Sequence, residues 1–223
     1  MNPAVNDENA AQIVAFAKTR GITEILHFTT NKGLIGVLAS GAVLSRDLLD
    51  ADAYLEHIYT PNCTDRLKDA GWTGCVNLSI SRVNGSMLGY SRGWHPVGEE
   101  LWWAVLAFDP VILGAPGVWF TTTNNTYPVV GRAVGEAGLA ALFAPRVPWG
   151  KYGSIKSRRR DDEPYWTTCP QAEVLYPQKV STGHLTKIYV HEAEHVDAVA
   201  GLLEAVPGAP RVPVVHNPEV FTW

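Results

Sequence analysis

Short apolar runs with strand character recur along this chain and outnumber its amphipathic helices. Strand-like runs cover residues 25–29, 74–81, 101–108, 117–122, 172–176, 185–190, 211–215 and 219–223. Helical spacing is present in residues 8–20, 34–40, 47–59, 131–143 and 193–205. Because strands and helices do not alternate strictly, the sequence predicts an α+β fold with a mixed sheet rather than a doubly wound α/β fold.

The length and composition favour one domain over residues 1–223. The chain has 223 residues, of which 46% are hydrophobic, enough for one sizeable core. Cys63, Cys75 and Cys169 have neither an even count nor a metal-binding spacing, which favours a reducing, cytoplasmic compartment. The first residues are polar, and no apolar run approaches the roughly 18 residues of a membrane span. We therefore expect a cytoplasmic protein without a membrane partner.

Residues 145–170 form a basic, aromatic stretch that the sequence predicts to be a structureless loop. The net charge of −4 argues against general affinity for nucleic acids, but this segment is locally basic. Its candidate DNA-binding residues are Lys151, Lys156, Arg158, Arg159, Arg160, Trp149 and Tyr152. Cations among aromatic rings suit single-stranded nucleic acid, whose phosphates need charge and whose bases need stacking surfaces. A solvated charged loop, partly neutralised by residues 161–163, is the alternative.

Glu173 follows this segment at the edge of an otherwise apolar strand. A carboxylate at such a place is costly to remove from water unless it has a partner. One interpretation is a catalytic acid beneath a substrate loop, and the other is a strand-edge glutamate that faces water. The local sequence leaves both open.

Residues 191–195 read His-Glu-Ala-Glu-His and match a zinc-binding pattern. Zinc chemistry needs both histidines one turn apart on one helix, with the glutamate beside them. Here His191 is predicted to follow the strand 185–190 directly, which places the pattern across a strand-to-helix junction. Glu192 and Glu194 then fit the first turn of a helix, where acidic side chains are stabilised by the helix dipole. We therefore expect no metal site.

Several short motifs, in order along the chain, resemble the DarT-type DNA ADP-ribosyltransferase toxins. They include His27-Phe28-Thr29, the Gly-x-x-Leu-Ser-Arg of residues 41–46, Arg66, and the Gln-Ala-Glu of residues 171–173. Further similar segments lie at residues 76–88, 103–124 and 170–190, and in the aromatic tail. Each motif is short, so their order and spacing carry the resemblance.

The resemblance implies an ADP-ribosyltransferase-like split mixed β-sheet with flanking helices and a central NAD cleft. It implies that the chain is an NAD-dependent mono-ADP-ribosyltransferase of a base in single-stranded DNA, without a metal. Glu173 and Arg66 match the catalytic positions. The matching cofactor-binding positions are His27, Thr29, Asn31, Gly33, Leu44 and Arg66. One departure is Gly33, in the turn expected after the His-Phe-Thr strand, where many relatives carry asparagine.

The chemistry of ADP-ribosyl transfer agrees with the roles that the resemblance gives to these residues. Cleaving the bond between ribose and nicotinamide develops positive charge, which a nearby carboxylate stabilises more in the transition state than in the ground state. Residues 145–170 would be the substrate-binding loop. The family implies the toxin of a toxin–antitoxin pair, with a macrodomain antitoxin of the DarG type. A protein acceptor and a non-catalytic nucleic-acid-binding module remain alternatives, and the sequence leaves open whether thymidine or guanosine is modified.

Overall fold

The computed structural model describes residues 3–50, 71–94, 100–150 and 153–222. Arg66, Lys151 and Tyr152, three of the residues singled out in the sequence, lie outside this part, as does most of the predicted helix 47–59. The chain divides into two compact units, each assembled from separate segments. The first contains residues 1–25, 77–84 and 109–176, and the second contains residues 26–76, 85–108 and 177–223.

The first unit contains a sheet of four strands with helices packed beside it. In spatial order its strands are β3 (Cys75–Ile80), β9 (Glu173–Pro177), β5 (Trp119–Thr121) and β6 (Arg132–Ala133). Strand β5 pairs antiparallel with both β9 and β6. A separate antiparallel hairpin joins β7 (Arg146–Pro148) to β8 (Ile155–Ser157). Residues 145–170 are therefore not structureless as predicted, because backbone pairing orders part of the segment.

Helix α1 (Pro3–Arg20) of this unit ends where the sequence predicts. Gly21 follows with φ of 75°, the left-handed conformation that favours glycine at a helix C-terminus. Ile13 and Ala17 are buried one turn apart, as helical spacing predicts. Helix α1 packs on the 3₁₀ turn Pro110–Gly114 and on α5 (Gly135–Ala141). Helix α5 is shorter than the predicted helix 131–143, because Arg132 and Ala133 pair with β5 instead.

The second unit contains a mixed sheet in the order β12 (Val214–His216), β11 (Leu185–Val190), β4 (Trp103–Phe108) and β1 (Ile25–Thr30). Strand β11 runs parallel to β12 and antiparallel to β4, so the predicted mixture of directions is present. Every residue of β4 is buried, which explains its continuous apolar run. Strands β2 (Ala42–Leu44) and β10 (Lys179–Ser181) form a further antiparallel pair.

The structure describes four helices in this unit. They are α2 (Asn31–Ser40), α3 (Arg46–Asp50), α4 (Gly85–Trp94) and α6 (His195–Ala205). Sequence periodicity missed α4, in which only Leu88 and Ser91 are buried, so the helix has no apolar stripe at helical spacing. A 3₁₀ turn occupies Thr182–His184. The predicted strand 219–223 is wrong, since the described residues there form a 3₁₀ turn, Pro218–Phe221, capped by Asn217.

Candidate active site

Glu173 is the first residue of β9, and only 5% of its surface is exposed. Its partner across the strand pair is Thr121 of β5. The Glu173 N–H donates to Thr121 Oγ1 at 3.2 Å, and the Thr121 hydroxyl donates to the Thr123 carbonyl at 2.9 Å. The interpretation of Glu173 as a glutamate facing water is therefore wrong, because the strand pairing buries it.

The Glu173 carboxylate accepts a hydrogen bond from the turn that follows β5. The backbone N–H of Asn125 donates to Oε2 over 2.8 Å, and Asn125 is itself 3% exposed. Arg132 holds the same residue, with Nε 2.7 Å from Asn125 Oδ1 and Nη2 2.6 Å from the Asn125 carbonyl oxygen. A hydrogen bond to a carboxylate favours its charged form, as electrostatic catalysis at a buried site requires.

Sequence reasoning missed Thr121, Asn125 and Arg132. One signal was present: residues 121–126 read Thr-Thr-Thr-Asn-Asn-Thr directly after an apolar strand. Side chains of these types commonly hydrogen-bond nearby backbone and form turns. The Asn124 Oδ1 accepts from the Thr126 N–H at 2.9 Å, which closes one such turn. The sequence shows a turn here, but not which carboxylate it meets.

The β7–β8 hairpin places an aromatic ring beside the segment that leads to Glu173. Trp149 Nε1 donates to Gln171 Oε1 at 2.6 Å, two residues before Glu173. The Lys156 ammonium lies 4.3 Å from the centroid of the Trp149 ring. A cation over an indole ring is a favourable contact, so each of these two side chains stabilises the position of the other. Of the candidate DNA-binding residues, these two are in contact.

The arginines after the hairpin have different environments. Arg158 donates from its guanidinium to the carbonyl oxygens of Trp166 and Glu163, each at 2.6 Å. Arg159 and Arg160 are exposed. Arg158 therefore ties the segment to itself, while its two neighbours present their charge to solvent.

Buried Cys169 lies beside the same turn, with Sγ 3.3 Å from Thr123 Oγ1. Burial raises the pKa of the Cys169 thiol, and the hydrogen bond to Thr123 opposes this rise. A thiol with a raised pKa stays protonated at neutral pH and is a poor nucleophile. Cys169 therefore packs as a small neutral side chain.

The residues matched to NAD binding lie around the junction of β1 and α2 in the second unit. Thr29 is 3% exposed, and His27 is half-buried with its ring stacked on Phe28 at 6.3 Å. Thr30 caps α2 by accepting from the Gly33 N–H at 3.0 Å. Because this cap starts the helix at Asn31, Asn31 and Gly33 lie in its first turn, not in a turn before a helix at residue 34 as predicted.

Asn31 and Gly33 have tightly defined surroundings. Asn31 donates from its backbone N–H to the Trp102 carbonyl at 2.9 Å and from Nδ2 to the Glu100 carbonyl at 3.0 Å. A Cβ added at Gly33 would overlap Thr29 Oγ1 and approach Thr30 Oγ1 to 3.3 Å. The departure from asparagine at this position thus coincides with a place where only glycine fits. Leu44, the remaining match, ends β2 opposite Lys179.

The histidines of the zinc-like pattern do not share a helix. Strand β11 ends at Val190, as the sequence predicts, which places the pattern across a strand-to-helix junction. The helix α6 begins at His195 and not at residue 193, so the prediction that Glu192 and Glu194 lie in its first turn is wrong. His191 Nδ1 lies 2.6 Å from Glu192 Oε1, and the His195 ring stacks on Trp102 with centroids 4.2 Å apart. Within the described ranges, no group of three His, Cys, Asp or Glu side chains could hold a metal ion. The described helices also include none long and apolar enough to cross a membrane.

Comparison with known protein families covers most of the chain. Residues 26–222 match the family described as "ssDNA thymidine ADP-ribosyltransferase, DarT". This chain belongs to the DarT family. The expectation of a DNA ADP-ribosyltransferase is confirmed at the level of the DarT family, whose description names thymidine. No curated protein sequence matches the chain.

Solved DarT structures share the fold. Thermus sp. 2.9 DarT in complex with NAD⁺ matches with a TM-score of 0.61 and 17% identity, over 89% of this chain and 97% of that one. The same protein in complex with ADP-ribosylated ssDNA gives 0.61 and 16%, over 90% and 97%. Thermosipho africanus DarTG in complex with ADP-ribose gives 0.58 and 16%, over 89% of this chain and 51% of that one. The predicted α+β ADP-ribosyltransferase fold is thereby confirmed.

Proposed function

We propose that this DarT protein transfers ADP-ribose from NAD to a thymine base in single-stranded DNA, with Glu173 as the catalytic residue. The observation that carries the proposal is the environment of Glu173 in a chain of this family. Its carboxylate is buried and bound by the Asn125 N–H at 2.8 Å. A buried carboxylate with a fixed donor is suited to stabilise charge that develops in a transition state.

The proposed reaction needs one carboxylate in two roles. The bond between the ribose C1′ and nicotinamide breaks, and its electron pair leaves with nicotinamide while positive charge grows on the ribose. Glu173 stabilises that charge. The N3 of thymine then bonds to C1′ and loses its proton, which the same carboxylate accepts as a general base. The remaining work is alignment of donor and acceptor.

We assign NAD binding to the positions around β1 and α2, together with two others. The end of β1 and the first turn of α2 carry polar groups from His27, Thr29 and Asn31. Gly33, without a side chain, lets NAD come close to the backbone there. Leu44 supplies an apolar contact. Arg66 would supply a forked, permanently charged donor for the pyrophosphate and act with Glu173 in catalysis. NAD is a substrate in this scheme, and no metal takes part.

Residues 145–170 are proposed to bind single-stranded DNA as part of one ADP-ribosyltransferase domain over residues 1–223. Trp149 offers a ring for base stacking, with Tyr152 as a second candidate. Lys151, Lys156, Arg159 and Arg160 offer charge to phosphates. Arg158, whose guanidinium bonds carbonyl oxygens, is assigned to holding the segment in shape.

The double variant Arg159→Gln/Arg160→Gln should weaken single-stranded DNA binding and make it less dependent on salt. Each lost phosphate contact lowers the slope of log affinity against log salt by about 0.7. Fluorescence anisotropy with a labelled oligonucleotide over a salt series measures this slope. Arg211→Gln, at an exposed position outside residues 145–170, is the matched control and should leave the slope unchanged. Equal slopes in the wild type and the double variant would remove Arg159 and Arg160 from the DNA site.

The activity is tested with labelled NAD and oligonucleotides that each lack one base. Modification of single strands only, lost when thymine is absent, is the expected result. Label that appears only on protein in a lysate would instead indicate a protein acceptor. DNA binding without any transfer would indicate a non-catalytic nucleic-acid-binding module.

We further propose that the protein is the toxin of a toxin–antitoxin pair, acts in the cytoplasm, and is opposed by a macrodomain antitoxin of the DarG type. The Thermosipho africanus DarTG structure supports the pairing with an antitoxin, because the match to this protein covers only 51% of that chain. Expression of this protein should stop bacterial growth, and expression of an ADP-ribosyl-DNA hydrolase should restore it.

A further inference from the structure

Arg132 holds the residue that binds the Glu173 carboxylate. Its guanidinium donates to both acceptors of Asn125, the side-chain Oδ1 at 2.7 Å and the backbone carbonyl at 2.6 Å. The N–H of that same residue donates to Glu173 Oε2 at 2.8 Å. A two-point contact by a planar guanidinium fixes orientation as well as distance. The contacts thus run from Arg132 through Asn125 to the carboxylate.

The strand register explains why these groups meet. Thr121 of β5 lies directly opposite Glu173 of β9 on one side and opposite Arg132 of β6 on the other. Directly paired residues on neighbouring strands point to the same face of a sheet. Arg132, Thr121 and Glu173 therefore share one face of the sheet. Asn125, in the turn of residues 122–131, contacts both Arg132 and Glu173 and so connects the two charged side chains.

The contact with Arg132 fixes the orientation of the Asn125 side-chain amide and leaves one of its polar atoms without a hydrogen bond among the described residues. Arginine only donates hydrogen bonds, so the amide atom facing its Nε must be the oxygen Oδ1. Nδ2 then points elsewhere, and it is buried without a hydrogen-bond partner among the described residues. An unsatisfied buried donor is unfavourable. The hydrogen bonds of Asn125 thus go to Arg132 and Glu173, and its own Nδ2 contributes none of them.

We propose that Arg132 is a positioning residue for ADP-ribosyl transfer. It fixes the turn so that the Asn125 N–H holds the Glu173 carboxylate in one orientation. This inference rests on the proposed catalytic role of Glu173. Because Arg132 is exposed at the surface, it could instead bind a substrate phosphate directly. The two roles predict different kinetics.

The test compares Arg132→Gln, Arg132→Lys and Asn125→Ala, with exposed Arg211→Gln as the matched control. Initial rates with NAD and a thymine-containing oligonucleotide give kcat and both KM values across a range of pH. Arg132→Gln should lower kcat by about 30- to 100-fold, since small misplacements of a catalytic group cost this much, with little change in KM. The acid limb of its pH–rate profile should move to higher pH, because a carboxylate that loses a hydrogen bond is less favoured in its charged form.

The other variants separate the position of the guanidinium from its charge. Lysine cannot make the two-point contact, so Arg132→Lys should recover only a few-fold of the lost kcat. Asn125→Ala keeps the backbone donor and loses one of the two anchors, so it should show a smaller fall in kcat and a smaller shift of the acid limb. This variant keeps the proposal testable if Arg132→Gln does not fold.

Three results would overturn the positioning role: wild-type kcat and acid limb in Arg132→Gln, full recovery by lysine, or a raised KM for DNA or NAD with unchanged kcat. Glu173→Gln is assayed alongside. If it is inactive while Arg132→Gln is normal, the positioning role fails and the proposed function stands. If it is active, the proposed role of Glu173 fails first.

Discussion

Replacing Glu173 with glutamine is expected to lower kcat for ADP-ribosyl transfer by about 10³-fold or more. Loss of a single neutral donor to a developing charge already costs 10²–10³-fold in other enzymes, and Glu173 would supply a full charge and the general base. Glutamine has nearly the same shape and keeps an oxygen that can accept from the Asn125 N–H, 2.8 Å from the carboxylate in the native protein. The change therefore removes charge with little change in packing.

Four measurements on the same preparation check this prediction. Mass spectrometry of the oligonucleotide quantifies transfer, and release of nicotinamide quantifies cleavage of NAD. Anisotropy reports DNA binding, and thermal unfolding gives the melting temperature. We expect the first two to fall together while DNA binding and the melting temperature stay near wild type. Glu136→Gln, at an exposed position in the first turn of α5, is the matched control and should remain active. Transfer by Glu173→Gln at the wild-type rate would exclude Glu173 from the mechanism.

Gly33→Ala is expected to weaken NAD binding by about tenfold or more and to destabilise the fold by about 1–3 kcal/mol. The added methyl group would overlap Thr29 Oγ1 and approach the Thr30 oxygen that caps α2. Both threonines are buried, so relieving the overlap requires a changed rotamer of Thr29 in a packed site or a displacement of β1 or the first turn of α2. Overpacking of this kind costs about the stated energy. For a chain of this size that equals a fall of roughly 2–12 °C in melting temperature.

A second variant separates the effect on packing from the effect on NAD. Thr29→Ala/Gly33→Ala removes the overlapping hydroxyl and should recover most of the stability. NAD binding, measured by calorimetry, should remain weak because the Thr29 hydroxyl is assigned to NAD. Gly201→Ala in α6 is the control for glycine replacement: nothing lies near its added Cβ, and alanine should stabilise the helix by about 0.5–1 kcal/mol. Wild-type NAD affinity in the double variant would remove Thr29 from the NAD site.

The sequence correctly predicted those helices and strands whose formation depends on residues close together in the chain. The apolar pattern of residues 185–190 became β11 with the same bounds. Gly21 and Gly41 ended helices as predicted, and both have positive φ, which glycine adopts without a steric penalty. The order of short motifs also led to the family that residues 26–222 match.

The errors occurred where pairing with distant residues decided the structure. Arg132 and Ala133 fit a helix by composition, but they form β6 because β5 offers them an antiparallel partner. Residues 146–148 and 155–157 carry weak strand signals and become ordered by pairing with each other. Helix α4 was missed because only Leu88 and Ser91 are buried on it, which leaves no apolar stripe at helical spacing. Propensity is a weak guide when such contacts compete with it.

The sequence by itself determined the α+β class, the family and the glutamate at the start of β9. These follow from periodicity, helix caps and the order of motifs, all of which side chains encode locally. The tertiary structure alone decided that Glu173 is buried, that Arg158 bonds carbonyl oxygens, and that Arg132 and Asn125 hold the carboxylate. The physical reason is that the donor to Glu173 is a backbone N–H. Every residue but proline has one, so only the pairing of β6, β5 and β9 selects Asn125.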